Sequence, residues 1–153
     1  MPIAFFTHDE VPTSISFAPC NQDTFVSGCL DGAVRLWHIK KPQKSIFADR
    51  VQSNEKITTL CFSPDSKRLV VGLATVGICQ IYTHNSGTSL NFHSRIDCKN
   101  RRGKYSSGRK VAGITFVNND QFLVATNDSS LRLFSIEDCC QLVKFKGHFS
   151  ENL

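Results

Sequence analysis

The amino-acid sequence predicts an all-β protein built from about three repeated units, each of four antiparallel strands. Three segments share one order of features: an apolar strand, a polar turn, a second strand, a tight turn and a third strand ending in an aromatic residue. These segments are 13–37, 57–82 and 111–134. Their matching positions recur after about 45 residues, with one longer step before the third unit. No segment carries a sustained 3.6-residue apolar period, so helices are not expected.

The first matching position is a phenylalanine in the first strand, and the second is the aromatic residue that closes the third strand. The phenylalanines are Phe17, Phe62 and Phe116. The closing aromatic residues are Trp37, Tyr82 and Phe134. Ala18-Pro19 and Ser63-Pro64 end first strands, because proline cannot donate a ladder hydrogen bond. Asp31-Gly32 predicts a tight hairpin turn, and Asn127-Asp128-Ser129 predicts its counterpart in the third unit.

A fourth strand is expected after each closing aromatic residue, at 44–48, 90–97 and 140–146. The second strands FVSGCL, RLVVGLA and FLVATN are apolar on both faces, so each sheet needs a cover on both sides. Radial stacking of the sheets as β-propeller blades provides that cover, whereas a sandwich of two sheets would show irregular strand spacing. Known propellers close with four to eight blades, so three units predict an incomplete ring, cut from a larger one or completed by other chains.

The predicted organisation is one partial propeller over 1–153. Its parts are an outer strand of a preceding blade at 2–8, blades at 11–49, 55–98 and 111–146, a basic insertion loop at 99–110 and the start of a further blade at 147–153.

The stretch LDGAVRLW (30–37) resembles the WD-repeat family, whose repeat carries Gly-His near its start and Trp-Asp at the end of its third strand. The first unit departs from this signature, with Thr7-His8 and Trp37-His38 in those places. Gly147-His148 matches the opening of a further repeat. The resemblance implies a propeller blade and a hydrogen-bonded structural tetrad of His8, Ser27, Asp31 and Trp37.

The other two units keep less of this tetrad. The second has Val76 and Tyr82 in place of the Asp and the Trp, so a tetrad is not expected there. The third keeps a partial tetrad, Thr126 and Asp128, and ends in Phe134. Buried indole N–H and carboxylate groups need partners, which gives such a cluster a structural purpose and not a catalytic one.

The sequence around 95–135 is similar to one group within this family, the WD-repeat proteins that bind a Rab GTPase of recycling endosomes and their fungal and plant relatives. That group has a basic Arg-Gly-rich insertion, then Gly-Arg-Lys before an apolar strand, then a Thr-x-Asn-Asp-Ser turn; this chain has Gly108 to Val111 and Thr126 to Ser129 at the matching places. The resemblance implies a cytosolic scaffold in vesicle traffic or signalling, whose GTPase-binding segment lies outside the repeats.

The net charge of +5 is concentrated in the insertion loop. Its six cations are Lys99, Arg101, Arg102, Lys104, Arg109 and Lys110; without them the chain has 12 basic and 13 acidic residues. The loop is the candidate contact for an anionic surface, either an acidic protein or acidic lipid headgroups; a solvated loop without a partner is the alternative. Ser106 and Ser107 are candidate phosphorylation sites, where added negative charge would weaken such a contact. With one aromatic residue in the loop, Tyr105, and no RNA-binding motif, nucleic acid is an unlikely partner.

No paired carboxylates, nucleophile elbow, phosphate-binding glycine loop or zinc signature is present, so no enzyme, catalytic residue, cofactor, metal or small-molecule substrate is expected. His84, His93 and Cys98 do not form a convincing metal set. The seven cysteines are an odd number without paired spacing, and reduced cytosolic thiols are expected. The sequence therefore predicts a cytoplasmic protein-interaction scaffold module, at the periphery of endosomal or other membranes. The alternative is a propeller segment that binds anionic lipid or phosphoinositide through loop 99–110.

Overall fold

The computed structural model describes residues 1–51, 54–74, 77–98, 110–138 and 140–146. These residues form three four-stranded sheets. The first blade contains β1 (Pro12–Ala18), β2 (Asn21–Cys29), β3 (Ala33–His38) and β4 (Phe47–Arg50). The second blade contains β5 (Ile57–Phe62), β6 (Arg68–Leu73), β7 (Ile78–Asn85) and β8 (Ser89–Asp97). The third blade contains β9 (Val111–Phe116), β10 (Gln121–Thr126), β11 (Ser130–Ser135) and β12 (Cys140–Lys146).

Each blade is an antiparallel meander in which strands adjacent in the chain are adjacent in the sheet. The predicted all-β class with four antiparallel strands per blade is confirmed. No α-helix occurs in the part of the chain that the structure describes, and none of its segments is a helix long and apolar enough to cross a membrane.

Two predicted strands differ from the structure. The fourth strand of the first blade begins at Phe47 and not at residue 44, because the Lys41 N–H bonds the His38 carbonyl and the chain turns again at Pro42 before it rejoins the sheet. Residues 2–8 are not assigned to a strand in the structure, and Phe6 and His8 of this segment contact the first blade. Their membership of a preceding blade stays a prediction.

The second blade is covered on both faces, which follows from the strand alternation of β6. Leu69 and Val71 point into a core shared with the first blade, whereas Val70 points into a core shared with the third. All three side chains are fully buried. A strand buried on both faces reads as a continuous apolar run, and this explains the RLVVGL sequence.

The junction between the first and second blades depends on one glycine and one threonine. A Cβ atom at Gly28 would lie 2.6 Å from the Cγ2 atom of Ile57, so the second blade can approach this closely only where β2 has no side chain. The Thr13 hydroxyl lies 3.0 Å from the Gly28 carbonyl oxygen and 2.6 Å from the Ile57 carbonyl oxygen, and thus ties β1 to both strands.

The junction between the second and third blades repeats this arrangement. A Cβ atom at Gly72 would lie 2.6 Å from the Cγ1 atom of Val111. The Thr58 hydroxyl lies 3.2 Å from the Gly72 carbonyl oxygen and also bonds the Val111 carbonyl oxygen. The sequence repeat is therefore a repeat of the interfaces as well as of the sheets.

The outer faces of the first and third blades keep apolar side chains in contact with solvent. Ile15 and Phe17 of β1 are 64% and 49% exposed. In the third blade, Leu131 pairs with Phe145, and both are close to half exposed. The described blades form an arc whose two end faces are still apolar.

Candidate functional site

Three of the four predicted tetrad residues meet on the outer face of the first blade. The Trp37 Nε1–H donates to the Ser27 hydroxyl at 3.0 Å, and this hydroxyl lies 2.7 Å from the His8 Nε2 atom. The His8 Nδ1 atom lies 2.8 Å from the Phe6 carbonyl oxygen. A consistent set of donors follows if the imidazole is neutral with its hydrogen on Nδ1: Trp37 donates to Ser27, Ser27 to His8, and His8 to Phe6.

Asp31, the fourth predicted residue, is not hydrogen-bonded to His8. Its Oδ1 atom accepts from the Ala33 N–H at 3.1 Å, as expected for an aspartate in a tight turn. Its Oδ2 atom pairs with the Arg50 guanidinium at 3.1 Å across β3 and β4. Asp31 therefore stabilises the turn and the fourth strand of the blade. The His8 imidazole, which was predicted to bind the Asp31 carboxylate, binds the Phe6 carbonyl oxygen instead.

The segment before the first blade covers the tetrad region with an aromatic side chain. The Phe6 ring contacts Phe25 edge-on at 5.0 Å and Trp37 edge-on at 5.4 Å between centroids. Trp37 is buried to 98% by these contacts and by its neighbours in the sheet. Aromatic edge-to-face contacts of this kind add to the stabilisation from burial. The cluster of Phe6, His8, Ser27 and Trp37 therefore holds residues 6–8 on the blade.

The predicted partial tetrad of the third blade is a buried ionic cluster. The Thr126 hydroxyl donates to the Asp128 carboxylate at 2.6 Å, and the Arg132 guanidinium bonds both residues. The ion pair of Arg132 and Asp128 spans 3.2 Å, and its side chains are only 2% and 3% exposed. A buried charge is tolerated when it is paired and hydrogen-bonded, which is the case here.

The strand registers show that this cluster is not the counterpart of the first tetrad. Ser27 pairs with Arg35 across the first blade. The residue that pairs with Arg132 is Val124, whereas Thr126 lies two residues further along β10. Val124 therefore occupies the position of Ser27, and Thr126 forms a different cluster with Asp128.

Arg132 was not identified from the sequence, although a signal for it exists. An arginine precedes the closing aromatic residue by two positions in VRLW and again in LRLF. Arg35 donates to the Cys29 thiol at 3.3 Å and lies 3.6 Å from Asp9, whose side chain is 97% exposed. Burial raises the pKa of the Cys29 thiol, although the nearby positive charge of Arg35 opposes this effect.

The second blade has a neutral pair at the corresponding place. The Tyr82 hydroxyl donates to the Gln80 side-chain oxygen at 3.0 Å, and Gln80 pairs with Val71 at the register position that Arg35 and Arg132 occupy in the other blades. Burial, with a smaller contribution from the Asp49 carboxylate, raises the pKa of Tyr82 to about 12. Val76, predicted at the aspartate position, lies outside the described residues.

Most of the predicted basic contact surface also lies outside the described residues, namely Lys99, Arg101, Arg102, Lys104, Arg109, Ser106 and Ser107. The structure describes its two flanks. Cys98 is buried, and its N–H bonds the Gly77 carbonyl. Lys110 is exposed, and its carbonyl oxygen accepts from the Asn127 N–H at 3.1 Å. The loop thus leaves the second blade beside β7 and joins the third blade beside the turn between β10 and β11.

The residues considered as metal ligands have other partners. The His84 Nδ1 atom donates to the Ser66 carbonyl at 2.6 Å, and its Nε2 atom accepts from the Gly87 N–H at 2.9 Å. The Cys98 sulfur lies 3.9 Å from that of Cys79 in the interior. Across the residues that the structure describes, no group of three His, Cys, Asp or Glu side chains is arranged to hold a metal ion.

Comparison with known proteins places these features in a family. The model of the family "WD domain, G-beta repeat" matches residues 2–38. The chain is 32% identical over 143 residues to WD repeat-containing protein 44 of Xenopus laevis. It is 31% identical over 142 residues to an uncharacterized WD repeat-containing protein of Schizosaccharomyces pombe, and 26% identical over 159 residues to the 2-deoxy-glucose resistant protein 2 of Saccharomyces cerevisiae.

These alignments cover 93%, 87% and 93% of this chain but only 15%, 23% and 18% of the relatives. The crystal structure of the WD40 repeats of RRP9 superposes with a TM-score of 0.76 at 14% identity, over 93% of this chain and 40% of that one. The recurring blades, the matched repeat and the similar sequences together identify the chain as a set of three WD-repeat propeller blades.

Proposed function

We propose that the chain is a non-enzymatic protein-interaction module of a cytoplasmic scaffold that works in vesicle traffic. The observation that carries this proposal is that its buried polar clusters stabilise the blades. The Ser27 cluster holds residues 6–8 on the first blade, and the Arg132 cluster ties β10 to β11 within the third blade. WD-repeat propellers typically bind other proteins through the surfaces that such a rigid frame presents.

The assignment to vesicle traffic is supported by two similarities. The Gly108 to Val111 and Thr126 to Ser129 stretches are similar to the WD-repeat group that binds a recycling-endosome Rab GTPase. The Xenopus relative, WD repeat-containing protein 44, aligns along 93% of the chain. The chain spans 15% of that relative, so binding of a GTPase by the whole protein is a separate question from binding by these blades.

A second candidate function rests on the charge of the insertion loop. Six cations between residues 99 and 110 favour attraction to acidic lipid headgroups, at about 1 kcal/mol for each cation near an anionic surface. This candidate predicts membrane association by the loop without any protein partner.

One pair of measurements separates the two functions. The chain, fused to a proximity-labelling enzyme in cells, should label a reproducible set of vesicle proteins. A variant with Arg101, Arg102, Lys104, Arg109 and Lys110 all changed to Gln tests whether the loop selects that set. In parallel, the purified chain is floated with phosphatidylcholine vesicles, with and without phosphatidylserine.

For the scaffold function, we expect the chain to remain in solution in both flotations and to label vesicle proteins. Flotation that depends on phosphatidylserine and is lost in the variant would establish the lipid function instead. Labelling no richer than that of the unfused enzyme would contradict the scaffold function.

A further inference from the structure

We propose that a groove on the second blade binds a phosphorylated serine or threonine of a partner protein. The rim groove is lined by Lys67, Arg68, Thr83, Asn85, Ser86 and Thr88, with the buried His84 beneath it. This inference rests on the proposed protein-interaction function, because it names the chemistry of one partner segment. The rim groove lies at one end of the blades. The turn between β2 and β3 and residue Cys98, after which the basic insertion begins, lie at the opposite end.

The rim groove has room for a phosphorylated side chain and for its neighbours in a peptide. Its volume is about 560 Å³. A second cavity of about 290 Å³ adjoins it, shares Lys67 and Ser86, and extends to Cys20 and Asn21 of the first blade. A peptide that placed one residue in the rim groove could therefore continue across the seam between two blades.

The charge of the rim groove is positive. Neither Lys67 nor Arg68 belongs to an ion pair among the described residues. Among the residues that the structure describes, the Arg68 guanidinium donates to the Thr83 hydroxyl at 3.1 Å, and its other N–H groups can donate to a ligand. Burial and the positive charge of Arg68 both lower the pKa of the nearby His93.

Among the described residues that line the two cavities, one carboxylate is present, and it lies in the adjoining cavity. Asp65 lines that cavity and not the rim groove. Its Oδ1 atom accepts from the Ser63 hydroxyl at 2.6 Å and from the Lys67 N–H at 3.0 Å. Burial opposes ionisation of Asp65, but these hydrogen bonds lower its pKa. The carboxylate is therefore ionised, and its Oδ1 atom is already bound by neighbouring donors. An anion is therefore favoured in the groove near Arg68 and disfavoured in the cavity near Asp65.

The walls of the rim groove are held in place by His84. Its two ring nitrogens bridge the turn before β6 and the turn before β8, through the Ser66 carbonyl and the Gly87 N–H. Ser86 and Gly87 have φ values of 44° and 79°, so this second turn is left-handed and tight. The groove is thus formed before a ligand arrives, which lowers the entropic cost of binding.

The donors of the rim groove suit a phosphate monoester. A phosphorylated residue carries close to two negative charges and three acceptor oxygens, and Arg and Lys bind such a group through strong charge-assisted bonds. The hydroxyls of Thr83 and Ser86 add neutral donors on the same surface. A carboxylate has fewer acceptor oxygens and half the charge, so the groove should bind it more weakly.

The test uses the 153-residue chain and two short probes. The probes are a blocked Gly-phosphoserine-Gly tripeptide and its unphosphorylated form, and binding is followed by the amide resonances of the chain. The variant is Lys67→Gln with Arg68→Gln. The matched control is Lys40→Gln with Lys41→Gln, which removes the same charge from exposed residues outside the rim groove. Thermal denaturation establishes that both variants are folded.

We expect the phosphorylated tripeptide to shift the resonances of residues 67–68 and 83–88 in a saturable way, and the unphosphorylated form to leave them unchanged. The groove variant should bind at least about tenfold more weakly, and the control should bind within about twofold of the parent chain. If Arg68→Gln prevents folding, Lys67→Gln is tested alone. Lys67 is exposed, so this variant should fold, and the loss of its charge should still weaken binding.

Three results would overturn the inference: equal shifts with both tripeptides, equal weakening in the control, or binding confined to phosphoinositide vesicles with none to the tripeptide. Its failure is distinct from failure of the scaffold function. If the parent chain and the groove variant label vesicle proteins equally well, the scaffold function is retained and the phosphate-binding role of the rim groove is rejected.

Discussion

The Ser27 hydroxyl accepts one hydrogen bond and donates another at the centre of the first-blade cluster. It receives the Trp37 indole N–H and lies 2.7 Å from the His8 imidazole. Replacement of Ser27 by Ala leaves the buried indole N–H without an acceptor, and a buried donor without a partner costs about 1–3 kcal/mol. We therefore expect Ser27→Ala to lower the free energy of unfolding by that amount, measured by urea denaturation.

The control for this prediction is Ser89→Ala, which removes a hydroxyl bonded to the exposed Asn85 side chain. Its effect should stay within about 0.5 kcal/mol, as for most surface substitutions. Equal stability of Ser27→Ala and the parent chain would mean that the cluster does not stabilise the blade.

Tyr82 makes the stability of the chain sensitive to alkaline pH. Its pKa is about 12 in the folded chain against an ordinary value of 10.0, so the folded state holds the proton more tightly than the unfolded state. The resulting stabilisation is complete below pH 10 and is lost as the pH rises towards 12; a shift of two pKa units corresponds to roughly 2–3 kcal/mol.

A titration of phenolate absorbance checks this prediction. The chain has two tyrosines, and the group that titrates near pH 12 should disappear in Tyr82→Phe. The fall in stability above pH 10 should be smaller in the same variant. Two tyrosines that both titrate near pH 10 would contradict the buried hydrogen bond to Gln80.

At the scale of strands, the glycines of β2 and β6 decide how closely neighbouring blades approach. An added methyl group at Gly28 or Gly72 would lie 2.6 Å from a side-chain carbon of the next blade, well inside van der Waals contact. Overpacking of this kind costs about 1–3 kcal/mol. We expect Gly28→Ala and Gly72→Ala each to lower the thermal midpoint, measured by circular dichroism.

Gly113 is the matched control for these strand glycines. It also lies in a strand, but among the described residues a Cβ atom there would meet only the Ala125 Cβ atom, at 4.0 Å. Gly113→Ala should therefore be neutral or slightly stabilising, since alanine restricts the unfolded chain more than glycine does. If all three substitutions had the same effect, backbone propensity and not the blade junction would explain the two losses.

Strand order and blade number were predictable because they depend on local patterns. Apolar runs bounded by turn residues located the three-strand segments 57–82 and 111–134 and the fourth strands 90–97 and 140–146, close to the observed strands β5 to β12. The two-sided apolar character of RLVVGL required neighbours on both faces. The start of β4 was misplaced, since the apolar Ile46 resembles a strand residue while Pro42 and the Lys41 hydrogen bond extend the preceding turn.

The tetrad residues were found from sequence, but their connections were not. Asp31 does not bind His8, because its carboxylate is held by the local Ala33 N–H and by Arg50. The Arg50 contact exists only when β4 has joined the sheet. Likewise, Thr126 could be aligned with Ser27 by composition, and only the register of β10 on β11 assigns that position to Val124. Such partners depend on tertiary pairing, which a strand pattern does not specify.

At the scale of the whole molecule, stability is a sum over blades and the interfaces between them. Repeat arrays of this kind behave approximately as one-dimensional chains of units, each dependent on its nearest neighbours. The two junctions use the same device, a threonine hydroxyl bonded to two carbonyl oxygens beside a strand glycine. Cooperativity between blades should therefore be transmitted through Thr13 and Thr58 as well as through the apolar cores.

The double-sided burial of β6 has a consequence for local opening. Leu69, Val70 and Val71 can meet water only after an adjoining blade has moved away, whereas the end blades each lose a single interface when they detach. Amide hydrogens of the central strands should consequently exchange with solvent last, at a rate set by global unfolding, while those of β3 and β11 exchange through smaller openings. The second blade should therefore be the most stable part of the arc, and local opening should begin in the first and third blades.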